Sequence, residues 1–197
     1  DTGFDAGIRY GDRVPKDMIG VALTPPQRWV VVAAPSLTTS RKRPDKPDDL
    51  RDLPCIRLRN GSGTTVPWEL GEGDRTVRID PKGPLCVNET DHAIDAALRG
   101  TGFAYVLERR VIAELASGAL ELVLPDWTSQ GAAFTIYYSS RRQPPPGMRQ
   151  LVEMIRDNEG LPPMVTLGVV GSDSSGPVLS SIALPGQTPA SGDATPC

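Results

Sequence analysis

Histidine is nearly absent: His92 is the only one in 197 residues. That scarcity removes most general-base and metal chemistry, because imidazole is the usual base near neutral pH and the commonest metal ligand. Cysteine is scarce too, with Cys55, Cys86 and Cys197 widely spaced. They form no C-x-x-C pair, an odd number cannot all pair off, and reduced thiols of a cytoplasmic protein fit this usage. Excess charge of one sign is also missing: 21 Lys+Arg face 24 Asp+Glu, for a net charge of −3. Such a chain has no field for gripping nucleic acid or an anionic membrane. The longest apolar run, residues 29–35, is far short of the ~20 residues a membrane span needs. No basic-then-apolar leader opens the sequence and the first Met is Met18, which reads as a fragment or processed product without a signal peptide.

Catalytic motifs fail on the same shortage. No G-x-S-x-G elbow or Cys–His signature surrounds His92, so no nucleophile–base pair and no enzyme is expected. Glu89, Asp91, His92 and Asp95 are close in sequence but fan around a helix, so no metal site is expected. Gly100-Thr101-Gly102 lacks the third glycine of a dinucleotide loop, and Gly61-Ser62-Gly63 lacks the lysine of a phosphate loop, so no cofactor is expected. The basic cluster Arg41-Lys42-Arg43 with Lys46 lies among Asp45, Asp48 and Asp49, as a solvated loop does. Trp68, between Pro67 and Glu69, reads as a core residue.

The chain divides by composition. Residues 158–197 hold no Lys, Arg or aromatic residue, and Gly, Pro and Ser dominate them. They have little apolar area to offset ~1–2 kcal/mol of backbone entropy per residue, so disorder is predicted there. Before them, strands and helices alternate. Strands are predicted at 4–9, 29–34, 55–59, 67–70, 76–80, 85–87, 103–107, 119–124 and 134–139. The continuous apolar run at 29–34 is typical of a sheet covered on both faces. A helical turn is predicted at 48–52 and helices at 91–99 and 109–117. The helix at 91–99 has Asn88 or Thr90 as its N-cap, and Gly100 and Gly118 end these two helices. A last helix from about Pro145 presents Met148, Leu151, Val152 and Ile155 on one face. The pattern is α/β.

One binding feature emerges from these elements. The strand at 85–87 runs straight into the N-terminus of a helix at Asn88-Glu89-Thr90. Unpaired backbone N–H groups there can seat a carboxylate, although the charge of Glu89 competes for the same donors.

An ordered series of segments resembles the effector-binding domain of LysR-type transcriptional regulators. It begins with Phe4-Asp5-Ala6-Gly7-Ile8-Arg9-Tyr10-Gly11 and Val31-Val32-Ala33-Ala34-Pro35, and continues with Pro44, Pro47-Asp48-Asp49-Leu50 and Cys55-Ile56. Pro67-Trp68-Glu69, Leu85-Cys86-Val87-Asn88 and Ala96-Ala97-Leu98-Arg99-Gly100 follow. It closes with Val123-Leu124-Pro125-Asp126-Trp127 and Tyr137-Tyr138-Ser139. The resemblance implies a two-lobed fold like type 2 periplasmic binding proteins, with two hinge-crossing strands near 31–35 and 134–138. Lobe II would be residues 35–133. Lobe I would be 1–34 plus 134–157 and incomplete, which implies weak effector binding and exposed apolar surface. The usual Tyr-Leu after the hinge proline is replaced by Ser36-Leu37-Thr38, which weakens the expectation of a helix there.

In such proteins a small organic acid, amino acid or aromatic compound sits between the lobes. By resemblance its contacts here would be Arg9 at a strand end, the turn Asn88, Glu89 and Thr90, and Tyr105. The whole regulator would be a homodimer or tetramer that reaches DNA through a winged helix-turn-helix not present in this sequence. A periplasmic type 2 solute-binding protein shares the architecture and is the alternative.

Overall fold

A computed structural model describes residues 4–41, 43–61, 63–139 and 146–163. Cys197 and most of the tail predicted to be disordered lie outside the described residues. The chain runs through β1 (Gly7–Tyr10), β2 (Met18–Ala22), β3 (Gln27–Ala33), α1 (Pro35–Ser40), β4 (Ile56–Leu58), β5 (Trp68–Leu70), β6 (Val77–Ile79) and β7 (Leu85–Val87). It continues with α2 (Thr90–Leu98), β8 (Ala104–Leu107), α3 (Ile112–Ser117), β9 (Glu121–Val123), β10 (Ser129–Gly131), β11 (Phe134–Ser139) and α4 (Pro146–Asn158). Short 3-10 turns link them, among them Pro47–Asp52, the helical turn read from the sequence.

Two sheets organise these elements. In the first, β11 is flanked by β1 and β2, both antiparallel. One side of it carries Leu23 and Ile136, which α4 covers with Met148 and Val152. In the second, β3 is central, antiparallel to β8 on one side and to β10 and β9 on the other. Its apolar run is buried on both faces. Val30 and Val32 pack with Ala93, Ile94 and Ala97 of α2. Val31 and Ala33 pack with Leu50, Trp68, Leu70, Ile79 and Phe103. Continuous apolarity without alternation therefore reports a strand sandwiched between two cores.

The passages between the sheets lie elsewhere than expected. The chain leaves the first sheet after Ala22 and enters the second at Gln27, and it returns between Gly131 and Phe134. The sequence suggested 31–35 and 134–138. But 31–33 is the interior of β3, and Phe134 already pairs with Tyr10 in the first sheet. The two passages touch: Leu23 N–H donates to Phe134 C=O at 2.7 Å, and Phe134 N–H donates to the buried Thr24 Oγ1 at 3.0 Å.

Other differences are local. β2 and β10 were not foreseen, because neither shows an apolar alternation. A helix does follow Pro35, whose fixed φ suits a first helical position, and Leu37 alone anchors it. The helix expected at 109–117 opens as a 3-10 turn and becomes α only from Ile112. Glu89, rather than Asn88 or Thr90, is the N-cap of α2, and no side chain caps it. Leu151 is 45% exposed, beside rather than on the buried stripe of α4.

Candidate functional site

Aromatic residues make up only 5% of the chain, yet five of them form a continuous row. Phe134 stacks on Tyr10 at 4.8 Å between centroids, and Tyr10 meets Trp29 at 6.2 Å with a 47° tilt. Trp29 stacks on Tyr105 at 5.1 Å, and Tyr105 on Trp68 at 5.6 Å. The row starts in the first sheet, crosses to β3 and β8, and ends in the core at β5. Only the crossing step is tilted; the other three are within 27° of parallel.

A cleft of about 590 Å³ lies along this row. Tyr10 and Asp12 line it from the first sheet and the turn that follows β1. Trp29, Tyr105 and Ser129 line it from the second, and Pro67, Glu69, the turn Gly71-Glu72-Gly73 and Thr90 complete the wall. Its volume suits a metabolite or drug-sized molecule.

Tyr105 is the fixed point of the wall. Its hydroxyl donates to Glu69 C=O at 2.7 Å and lies 2.5 Å from Ser129 Oγ. A carbonyl can only accept, so the single phenolic proton goes to Glu69 and the Ser129 hydroxyl must donate to Tyr105. Burial pushes the Tyr105 hydroxyl from 10.0 up to about 12, and the nearby Glu69 carboxylate adds to the rise. Tyr10 is raised in the same direction, first by burial and then by Asp12.

The residues singled out from the sequence are distributed over three places. Thr90 and Tyr105 line the cleft. Asn88 and Glu89 are exposed and line a separate open pocket of about 570 Å³ with Arg59, Asn60 and Cys86. That pocket sits where the parallel strands β4 and β7 end and α2 begins, the usual seat of ligands in open α/β sheets. Arg9 is exposed, and its guanidinium lies 5.4 Å from the Tyr137 ring centroid, outside the cleft lining. Tyr10, Trp29 and Ser129 were missed. Strand alternation carried the signal for Tyr10: if Arg9 points one way along β1, its neighbour points the other.

His92 is exposed, and no cluster of three potential metal ligands exists among the described residues. Cys55 is buried and free, its thiol pushed up to about 12 by burial, which makes it inert at neutral pH. Among the described residues no helix is long and apolar enough to cross a membrane.

Comparison with known proteins gives concordant matches. The family model for the LysR substrate binding domain matches residues 1–160. A Pseudomonas aeruginosa protein, provisionally named a transcriptional regulator, is 38% identical over 154 residues, 78% of this chain and 50% of its own length. The uncharacterized HTH-type transcriptional regulator YcaN of Escherichia coli is 32% identical over 157 residues, 80% of this chain and 51% of its own. The chain thus spans about half the length of the curated relatives it matches. Among solved structures, CrgA of Neisseria meningitidis, a LysR-type transcriptional regulator, aligns with a TM-score of 0.67 at 18% identity, covering 79% of this chain and 52% of that one. The regulatory domain of AphB from Vibrio vulnificus aligns with a TM-score of 0.64 at 20% identity, covering 79% and 75%.

Proposed function

The chain belongs to the LysR substrate-binding domain family, and from that premise we infer that its cleft takes a small-molecule effector. Its fold is the periplasmic-binding-protein-like α/β fold of LysR regulatory domains. The two sheets serve as the cores of two lobes, the first lobe built on β1, β2, β11 and α4. The observation that carries this reading is the cleft wall: Tyr10 from one sheet and Trp29, Tyr105 and Ser129 from the other face a single volume. A ligand touching both walls binds better when they are correctly spaced, and that differential affinity is what converts binding into movement.

In the whole regulator this movement passes to a DNA-binding head carried elsewhere in the polypeptide and shifts transcription, with the assembled protein working in the cytoplasm as a dimer or tetramer. The relatives are regulators, and catalysis has no part in this reading.

The test is a ligand screen by thermal shift on the chain and on Gln130→Trp. Gln130 is exposed on β10 at the cleft mouth, so the new ring obstructs entry without disturbing the core. A true effector at about 100 times its Kd stabilises the parent by ~2.7 kcal/mol and leaves the variant unshifted. Equal stabilisation of both places the ligand elsewhere and rejects the cleft.

A further inference from the structure

The chemistry of the wall allows the ligand class to be narrowed, on the assumption that the cleft is the effector site. Among the described residues three carboxylates line it, Asp12, Glu69 and Glu72, against one guanidinium, Arg13. That guanidinium lies 3.7 Å from Asp12, so these two offset each other and Glu69 and Glu72 carry the excess negative charge. Arg78 stands opposite Glu69 across the β5–β6 pair but does not line the cleft. The fixed hydroxyls show the same bias. Tyr105 spends its proton on Glu69 C=O and Ser129 spends its own on Tyr105, so Ser129 has only lone pairs left to offer. At the start of α2 only Thr90 reaches the cleft; Glu89 lines the separate pocket and Asp91 is paired with Arg110. Beside these acceptors lies the aromatic wall, with both rings of its tilted step, Tyr10 and Trp29, bordering the cleft. Ring faces carry negative potential and attract cations.

We propose that the cleft takes an aromatic amine, its ring against Tyr10 and Trp29 and its ammonium towards Glu69, rather than an organic acid, one of the three classes (organic acid, amino acid or aromatic compound) that the resemblance implies. A carboxylate placed beside Glu69 and Ser129 meets a like charge and lone pairs, and of the lining donors only Arg13, already near Asp12, carries a positive charge. An ammonium meets acceptors and π faces.

Phenethylamine and 3-phenylpropionate test the assignment, since they share a ring and a two-carbon arm and differ in the charge at its end. The 197-residue chain is titrated with each while Trp fluorescence and the amide resonances of Gly71, Ser129 and Gly131 are followed. The amine is expected to move these resonances and to bind about tenfold more tightly than the acid. Glu69→Gln, at an exposed side chain, is expected to erase most of that preference. Equal or tighter binding of the acid at the same amides overturns the amine assignment and leaves the cleft standing as an effector site. Unmoved cleft amides with both compounds at millimolar concentration overturn the assignment, and the Gln130→Trp screen then decides whether the cleft binds any ligand.

Discussion

Thr24 Oγ1 is the acceptor of the Phe134 backbone N–H, at 3.0 Å, and through this bond one passage between the sheets holds the other. The hydroxyl is fully used. It donates to Pro25 C=O at 2.9 Å and also accepts from Gln27 Nε2 at 3.0 Å. Thr24 and Gln27 are both buried and Phe134 is half-buried.

Thr24→Val keeps the shape and removes the oxygen, so the half-buried Phe134 N–H loses its acceptor and Gln27 Nε2 keeps only Pro25 C=O, at 2.7 Å. A loss of ~1–3 kcal/mol is expected in urea denaturation. Thr24→Ser, which keeps the oxygen, should recover most of it. Equal losses in both variants would show that the methyl, not the bond, matters.

The Tyr105 hydroxyl gives a pH signature. It ionises near 10.0 in an unfolded chain and near 12 in the folded one. Below the first value it is neutral in both states and its contribution to stability is fully present. Between the two values only the unfolded chain loses the proton, so stability drains away, and above the second the contribution is gone. Tyr105→Phe is expected to lose ~1 kcal/mol at neutral pH for its hydrogen bonds. The gap to the parent should then narrow as pH rises from about 9 to about 12. Cys55 is raised over a similar range but is present in both proteins, so it cancels in the comparison. A gap that stays constant in urea titrations across this window would contradict a buried hydroxyl.

Gly83 is held by backbone rather than by a turn. A Cβ there would sit 1.9 Å from Cys55 O and 2.7 Å from Cys55 N, in a segment whose N–H already bonds to Lys82 C=O at 2.9 Å. Backbone cannot rotate away as a side chain can. Gly83→Ala is expected to cost ~3 kcal/mol or more. Gly61→Ala, with nothing within 4 Å, should stay within about 0.5 kcal/mol. Similar denaturation midpoints for the two variants would mean that the strand at Cys55 is free to shift.

What could be read from the sequence follows how much of each signal is local. β3 announced itself because a strand buried on both faces has no polar position to hide it. α2 did so because Ala93, Ile94 and Ala97 repeat at helical spacing and Gly100, at φ 71°, stops the helix. β2 and β10 gave no such signal. Their residues are mostly half-exposed or polar, and only pairing with β11 and β3 makes them strands. The site suffered most. Thr90 and Tyr105, named through the family resemblance, line the cleft, but the aromatic row joins residues far apart in the chain, and no spacing rule links Tyr10 to Trp29 or Trp29 to Tyr105. The resemblance points to Arg9 at a strand end, whereas Tyr10, the next residue, lines the cleft.

A second tie joins distant parts of the chain. Arg109, in the 3-10 turn after β8, grips Glu159, just beyond α4, with two nitrogens at 2.7 and 3.2 Å. That contact raises the Arg109 pKa, mainly through the hydrogen bond. The pair is partly exposed, 43% and 21% for the two side chains, so solvent screens it. Bidentate geometry argues for a value at the upper end of the surface range. A double-mutant cycle with Arg109→Ala and Glu159→Ala should give a coupling of about 0.5–1 kcal/mol. The coupling should fall when salt is raised from about 0.05 M to about 1 M, as the screening length shrinks to about 3 Å. Thr24→Val should add to either single variant without coupling, because the Thr24 bonds and the Arg109 pair share no partner. Coupling between them in urea denaturation would show instead that both ties report one cooperative movement of the two sheets.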